Sequence, residues 1–201
     1  MITKEELSVR IKNACAAVMA AESELTEIDS RFGDADHGFT MAKIAKTISD
    51  AIEEGDSIQE MLDNAACAVM VLNGGSAVPL WNTWLDGLQE HSEAADSMTV
   101  EQVKSMFQGA YEELYEMSTA KVGDKTMMDA LIPATEAIQA WEGDMDGLFE
   151  AAAKAAEAGA ENSKNFVSRF GRAKSYGTQT IGTPDAGAVS MKYFFVGLAK
   201  K

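Results

Sequence analysis

Three aspartates, Asp29, Asp34 and Asp36, fall within eight positions of a segment that reads DSRFGDADHGFT over 29–40. Their carboxylates offer hard oxygen donors, and Gly33 and Gly38 allow sharp turns of the intervening backbone. Magnesium takes a few carboxylates and completes its shell with water and substrate phosphate, whereas a calcium cage needs more protein ligands. The ligand spacing of an EF-hand is not present. The pattern fits a magnesium site, and it fits equally a solvated acidic turn in which Asp36 or His37 helps to cap the next helix.

Three further segments carry chemistry-bearing residues. NGGSAVP at 73–79 runs into a helical pattern, so its glycines expose backbone N–H groups at a helix start, a favourable place for an anion, and Ser76 adds a hydroxyl. A plain Gly-Gly turn explains the same letters. No lysine follows at the Walker A position, and there is no dinucleotide-binding fingerprint. Gly123-Asp124-Lys125-Thr126-Met127 opens another helix, with Met127 able to lie on a purine or to serve as a core methionine behind a cap. Arg172, between Gly171 and Lys174, makes a cationic spot whose planar fork suits phosphate; a surface ion pair is the alternative.

The elements that must position these residues are helices. Apolar side chains recur at three and four spacing almost throughout, and alternating stretches rich in Val, Ile and Thr are scarce. Thr3 with Glu6, Ser57 with Glu60, Thr99 with Gln102 and Thr126 with Asp129 each set a hydroxyl three residues before an acid or amide, the reciprocal capping pattern. The sequence predicts eight helices, at 3–28, 39–54, 57–72, 76–90, 99–118, 127–141, 146–165 and 186–200, in one all-α domain spanning 1–201. The stretch from Phe170 to Gly187 is too long for a mere connector.

A net charge of −15, from 32 acidic against 17 basic residues spread along the chain, argues against nucleic acid and anionic membrane as partners. An anionic ligand would need a local cation or a metal. Cys15 and Cys67 sit in apolar helical patterns without metal-type spacing and read as core residues of a reduced, cytoplasmic protein. No apolar run reaches membrane-spanning length, and MITKEELSVRIKNA does not read as a signal peptide.

Taken together, GDADHGFTM at 33–41, GGSAVPL at 74–80, GDKTMMDALIPA at 123–134 and the run from Gly171 to Ala188 resemble, in order and spacing, the nucleotide-binding L subunits of bacterial dihydroxyacetone kinases. The resemblance implies a closed barrel of eight antiparallel helices with Mg2+ and ADP or ATP among the loops at one end. It implies that Asp29, Asp34 and Asp36 hold the metal and that His37, Gly38, Phe39 and Thr40 approach the phosphates from a helix start. Arg172 is the implied catalytic cation, and Ser76, Ala77, Ser118, Met127, Asp185, Ala186 and Gly187 complete the nucleotide contacts. The chain departs from the usual GGASGPL at Ala77 and Val78, and it has Thr183 and Ala186 where relatives carry histidine and proline.

The implied activity is phosphoryl transfer to a small hydroxyketone held by a separate K subunit. The phosphoryl donor is either consumed ATP or a phosphohistidine carrier of the sugar phosphotransferase system that recharges bound ADP. An ATP-using kinase subunit for another short ketose, such as a tetrulose, and a regulatory binding protein switched by nucleotide are the other readings the resemblance allows.

Overall fold

Hydroxyl caps start the helices much as the spacing requires. In the computed structural model, which describes residues 1–201, Thr3 opens α1 (Lys4–Ala20) and Thr99 opens a later helix, each with both halves of the reciprocal cap. Ser57 accepts from the Glu60 N–H, but the Glu60 carboxylate reaches the Asp56 N–H instead of that of Ser57. The helices after α1 are α2 (Glu22–Ser30), α3 (His37–Ala51), α4 (Ile58–Met70), α5 (Ala77–Glu90), α6 (Val100–Ser118), α7 (Met128–Ala140), α8 (Met145–Asn162) and α9 (Ala186–Leu198).

There are therefore nine α-helices, not the expected eight. The difference lies in the segment expected as one helix over 3–28, which breaks at Ala21 (φ −89°, ψ 2°). The apolar stripe of α1, Leu7, Ile11, Ala14, Cys15 and Val18, ends there, and α2 buries only Leu25. Two other features were not foreseen. Residues Ile2–Thr3 (β1) and Ser97–Met98 (β2) form a short antiparallel pair, with Ile2 opposite Met98. Much of the long last loop is wound into 3-10 turns over Arg172–Thr180, broken by left-handed Gly177 (φ 55°).

α1 packs on α3, α3 on α4, α4 on α5, α5 on α6, α6 on α7, α7 on α8, α8 on α9, and α9 on α1. The inward faces join a single cluster of 50 buried apolar residues. Its aromatic centre is Trp81, Trp84 and Phe194, with ring centroids 5.3–5.5 Å apart and edge-to-face geometry. Cys15 is buried in this core, as expected, whereas Cys67, expected to be a core residue too, is exposed. The buried face of α4 runs through Ile58, Met61, Leu62, Ala65, Ala66 and Val69, and Cys67 falls off that stripe. No helix is long and apolar enough to cross a membrane.

α7 and α8 meet so closely that a side chain at Gly159 would run into the Asp129 carbonyl and Ala130. Gly159→Ala gains about 1 kcal/mol of helix propensity, but the overpacking costs roughly 1–3 kcal/mol. Thermal melting followed by circular dichroism should show net destabilisation; a more stable variant would refute the close contact.

Candidate nucleotide and metal site

Gly33 makes the acidic turn possible. A Cβ there would collide with the carboxylate and carbonyl of Asp29, so only glycine lets the loop fold down onto that side chain. Its N–H donates to the Asp29 carbonyl at 2.6 Å, and Ala35 takes a left-handed conformation (φ 62°) to complete the turn. Asp29 Oδ2 then accepts from the N–H groups of Asp36 and His37, at 3.2 and 3.4 Å, at the start of α3. The end of α2 is thereby tied to the beginning of α3.

This turn brings one carboxylate oxygen from each of Asp29, Asp34 and Asp36 within 4.8 Å of one another. Burial, followed by the negative charges of Asp34 and Asp29, pushes the Asp36 carboxyl above the usual aspartate range. Such a set wants a cation. Three hard oxygens with open sides suit Mg2+, whose remaining positions go to water and phosphate. A cation from the protein already reaches the group: Arg172 donates to Asp34 Oδ2 at 2.8 Å.

The carboxylates stand at the edge of a cavity of about 550 Å3 whose wall comes from four interhelical connections and the helix ends beside them. Of the residues singled out in the sequence, Asp29, Asp34, Asp36, His37, Thr40, Ser76, Ala77, Ser118, Met127, Arg172, Asp185, Ala186 and Gly187 all line it. Gly38 and Phe39 do not. Gly38 faces the other way, and its missing side chain lets α3 press against the Glu22 carbonyl and Thr26 of α2. Phe39 is 66% exposed and points to solvent. Only the backbone N–H groups of these two residues belong to the anion-attracting first turn of α3.

At the glycine loop, Ser76 occupies the N-cap position of α5 but its hydroxyl does not cap the helix. Val78, the residue that replaces a glycine, turns inward, is buried, and packs under Gly74. The departure is thus absorbed by the core, and Ser76 and Ala77 both remain on the cavity wall.

The opposite wall depends on residues that sequence reasoning undervalued. Lys125 is buried and left-handed (φ 61°), and its amine donates to the carbonyls of Ser163 at 2.6 Å and Thr183 at 2.5 Å. It staples together the loop before α7, the end of α8 and the loop before α9. Burial lowers its pKa, while Asp185 and Asp129 pull it the other way. Asp129 accepts from the N–H groups of Gly123 at 2.6 Å and Thr126 at 2.7 Å, which fixes the turn that presents Met127. Asp185 caps α9 through the Ala188 N–H at 2.7 Å, and burial pushes its carboxyl up to about 7. A charged residue followed by an acid in a helix-opening segment was the signal available for Lys125 and Asp129; the cap reading obscured it. Phe32 and Phe170 also line the cavity and went unnoticed.

With the geometry in view, comparison with known proteins identifies the family. Residues 31–200 match the DAK2 domain family. The chain belongs to that family. It is 32% identical over 193 residues to the ADP-binding subunit DhaL of the PEP-dependent dihydroxyacetone kinase of Escherichia coli K12, covering 92% of this chain and 91% of that protein. It is also 32% identical over 193 residues to a D-erythrulose kinase of Mycolicibacterium smegmatis, where the match spans 92% of this chain but only 33% of the longer protein. Among solved structures, the fold matches a dihydroxyacetone kinase from C. freundii in complex with AMP-PNP and Mg2+, with a TM-score of 0.72 and 23% identity, over 96% of this chain and 33% of that one.

Metal binding should weaken as pH falls, because a carboxylate must be deprotonated to bind the ion. Since the Asp36 pKa is raised, protons should compete at a higher pH than for an ordinary aspartate. A Mn2+ titration across pH should show this early loss, and an affinity constant down through the ordinary aspartate range would contradict it. Asp34→Asn and Asp36→Asn should each keep the helical circular dichroism spectrum and sharply weaken Mg-dependent ADP binding in calorimetry.

Proposed function

We propose that this chain is the Mg-nucleotide-binding subunit of a dihydroxyacetone-type kinase, transferring a phosphoryl group to a small hydroxyketone held by a separate K subunit. The observation that carries the reading is the convergence of three carboxylates, the start of α3 and Arg172 on one cavity. Those are the parts that phosphoryl transfer needs, since its catalysis is mostly positioning and charge neutralisation. The named relatives are kinases, which supports the reaction class.

In this reading residues 1–201 act as one nucleotide-binding domain in the cytoplasm, with the ring of packed helices as a closed barrel that carries the site at its loop end. Asp29, Asp34 and Asp36 would hold Mg2+. The ion, when bound, offsets charge on the phosphates. Arg172 neutralises charge on the transferring group, the first turn of α3 and Ser76 donate to phosphate oxygens, and Met127 packs against the base. The wall near Asp185 to Gly187 closes the other side.

Met117 and Phe170, exposed on the cavity wall, and Tyr176, exposed and packed on Phe32, favour a protein partner there, and the K subunit is the partner proposed. ADP is the proposed resident nucleotide, recharged by a phosphohistidine carrier, and the match across 91% of a protein named as PEP-dependent supports that mode. An ATP-using tetrulose kinase is the second reading, supported by equal identity to the D-erythrulose kinase.

Mixing the purified chain with K subunits and either ATP or a phosphohistidine carrier tests the proposal. A phosphorylated ketose that appears only when the chain is present is the expected result, and the absence of product with every donor and K subunit would overturn it. Arg172→Lys keeps the charge but loses the planar fork. Its turnover should fall by about one to two orders of magnitude, the worth of a hydrogen bond to a charged group; full activity would remove Arg172 from its role. Ser76→Ala should weaken ADP binding by about 1.5–3 kcal/mol if Ser76 has taken over the contact missing at Ala77. An unchanged isotherm for that variant, with a gain for Ala77→Ser, would reverse this assignment.

A further inference from the structure

Ser190, on α9, is fully buried beneath the cavity and outside the set of residues assigned above. Its Oγ lies 2.7 Å from His37 Nε2 and 2.9 Å from the Ala186 carbonyl oxygen. A serine hydroxyl carries a single proton, and a carbonyl oxygen can only accept. The bond to Ala186 therefore uses the Ser190 proton. What Ser190 Oγ offers to the ring is a lone pair, so His37 Nε2 must bring the hydrogen. This accounting is the same for the neutral ring and for the imidazolium.

We propose that Ser190 is a positioning residue that locks the His37 ring with Nε2–H on its hydroxyl, leaving Nδ1 as the ring atom that meets a ligand in the cavity. His37 lines the cavity beside the carboxylates, so the choice of nitrogen decides what the ring offers there. Without the Ser190 hydroxyl, Nε2–H has lost this acceptor and the Ala186 carbonyl is the backbone acceptor left beside the ring, so the ring can exchange its proton between nitrogens or turn over. A fraction of molecules would then present the wrong atom. The connection of Ser190 to ligand affinity rests on the nucleotide reading above; the state of the ring does not.

The chain has two histidines, so two-bond 1H–15N correlations on the nucleotide-free protein are readily assigned with a His91→Gln control. At alkaline pH, where the ring is neutral, wild type should show His37 protonated at Nε2 and bare at Nδ1. Ser190→Ala should shift the pattern toward exchange between tautomers and weaken Mg·ADP binding about three- to tenfold, the worth of one hydrogen bond. Ser190→Thr, which keeps the hydroxyl, should restore the Nε2–H pattern. A wild-type ring protonated at Nδ1 overturns the proposal, whether or not the variants fold, and so does a Ser190→Ala spectrum identical to wild type. Failure of wild type to bind Mg·ADP would instead remove the nucleotide reading and leave the ring result to decide on Ser190.

Discussion

Mutual repulsion among Asp29, Asp34 and Asp36 is the constraint around which this end of the molecule is arranged. Burial, and then the charges of Asp34 and Asp29, strengthen the hold of Asp36 on a proton, and carboxylates this close spread apart unless backbone holds them. The holding is done by a turn that needs glycine at position 33 and by Asp29 itself, whose carboxylate caps the first turn of α3. One side chain thus closes a helix junction and supplies one of the three converging carboxylates. The positive end of α3 and Arg172 both act on the same excess of negative charge.

On the far wall the problem is different, because the loop before α7, the end of α8 and the loop before α9 must be kept in register. The solution is a buried amine. Lys125 spends its hydrogen bonds on the carbonyls of Ser163 and Thr183, while Asp129 collects the N–H groups of Gly123 and Thr126. Charged groups that bond backbone in a dry setting make stiff connections, since an unpaired partner there is costly. Met127 and the Asp185 to Gly187 segment inherit their positions from this arrangement, and a Cβ on Gly187 would already touch Met127.

Most of the helical frame was legible in the sequence, because apolar spacing and hydroxyl caps are local signals. Seven of the expected helices have counterparts with ends displaced by three residues or fewer. The break at Ala21 was not legible, since Ala21 is a good helix former and what ends α1 is the loss of a buried stripe. The acidic turn was visible as spacing, yet spacing alone left a solvated turn equally open; the shared reach of the three carboxylates is a property of the folded loop. Gly38 looked like a ligand contact because it sits in a chemistry-rich motif, and its role is close packing against α2. Ser190 and Lys125 were out of reach, as each acts across more than 35 residues of chain, on His37 and on Ser163 and Thr183.

The interruption at Ala21 has a consequence for how the molecule opens. α1 buries six side chains, whereas α2, which carries Asp29, fully buries only Leu25. Cooperative opening follows buried contacts, so α2 can fray as a unit while α1 stays folded. Amide hydrogens of α2 should then trade with solvent deuterium well ahead of those of α1. A cation bound to Asp29, as proposed, would slow that trade, so that exchange in this short helix would report occupancy without any chemistry taking place.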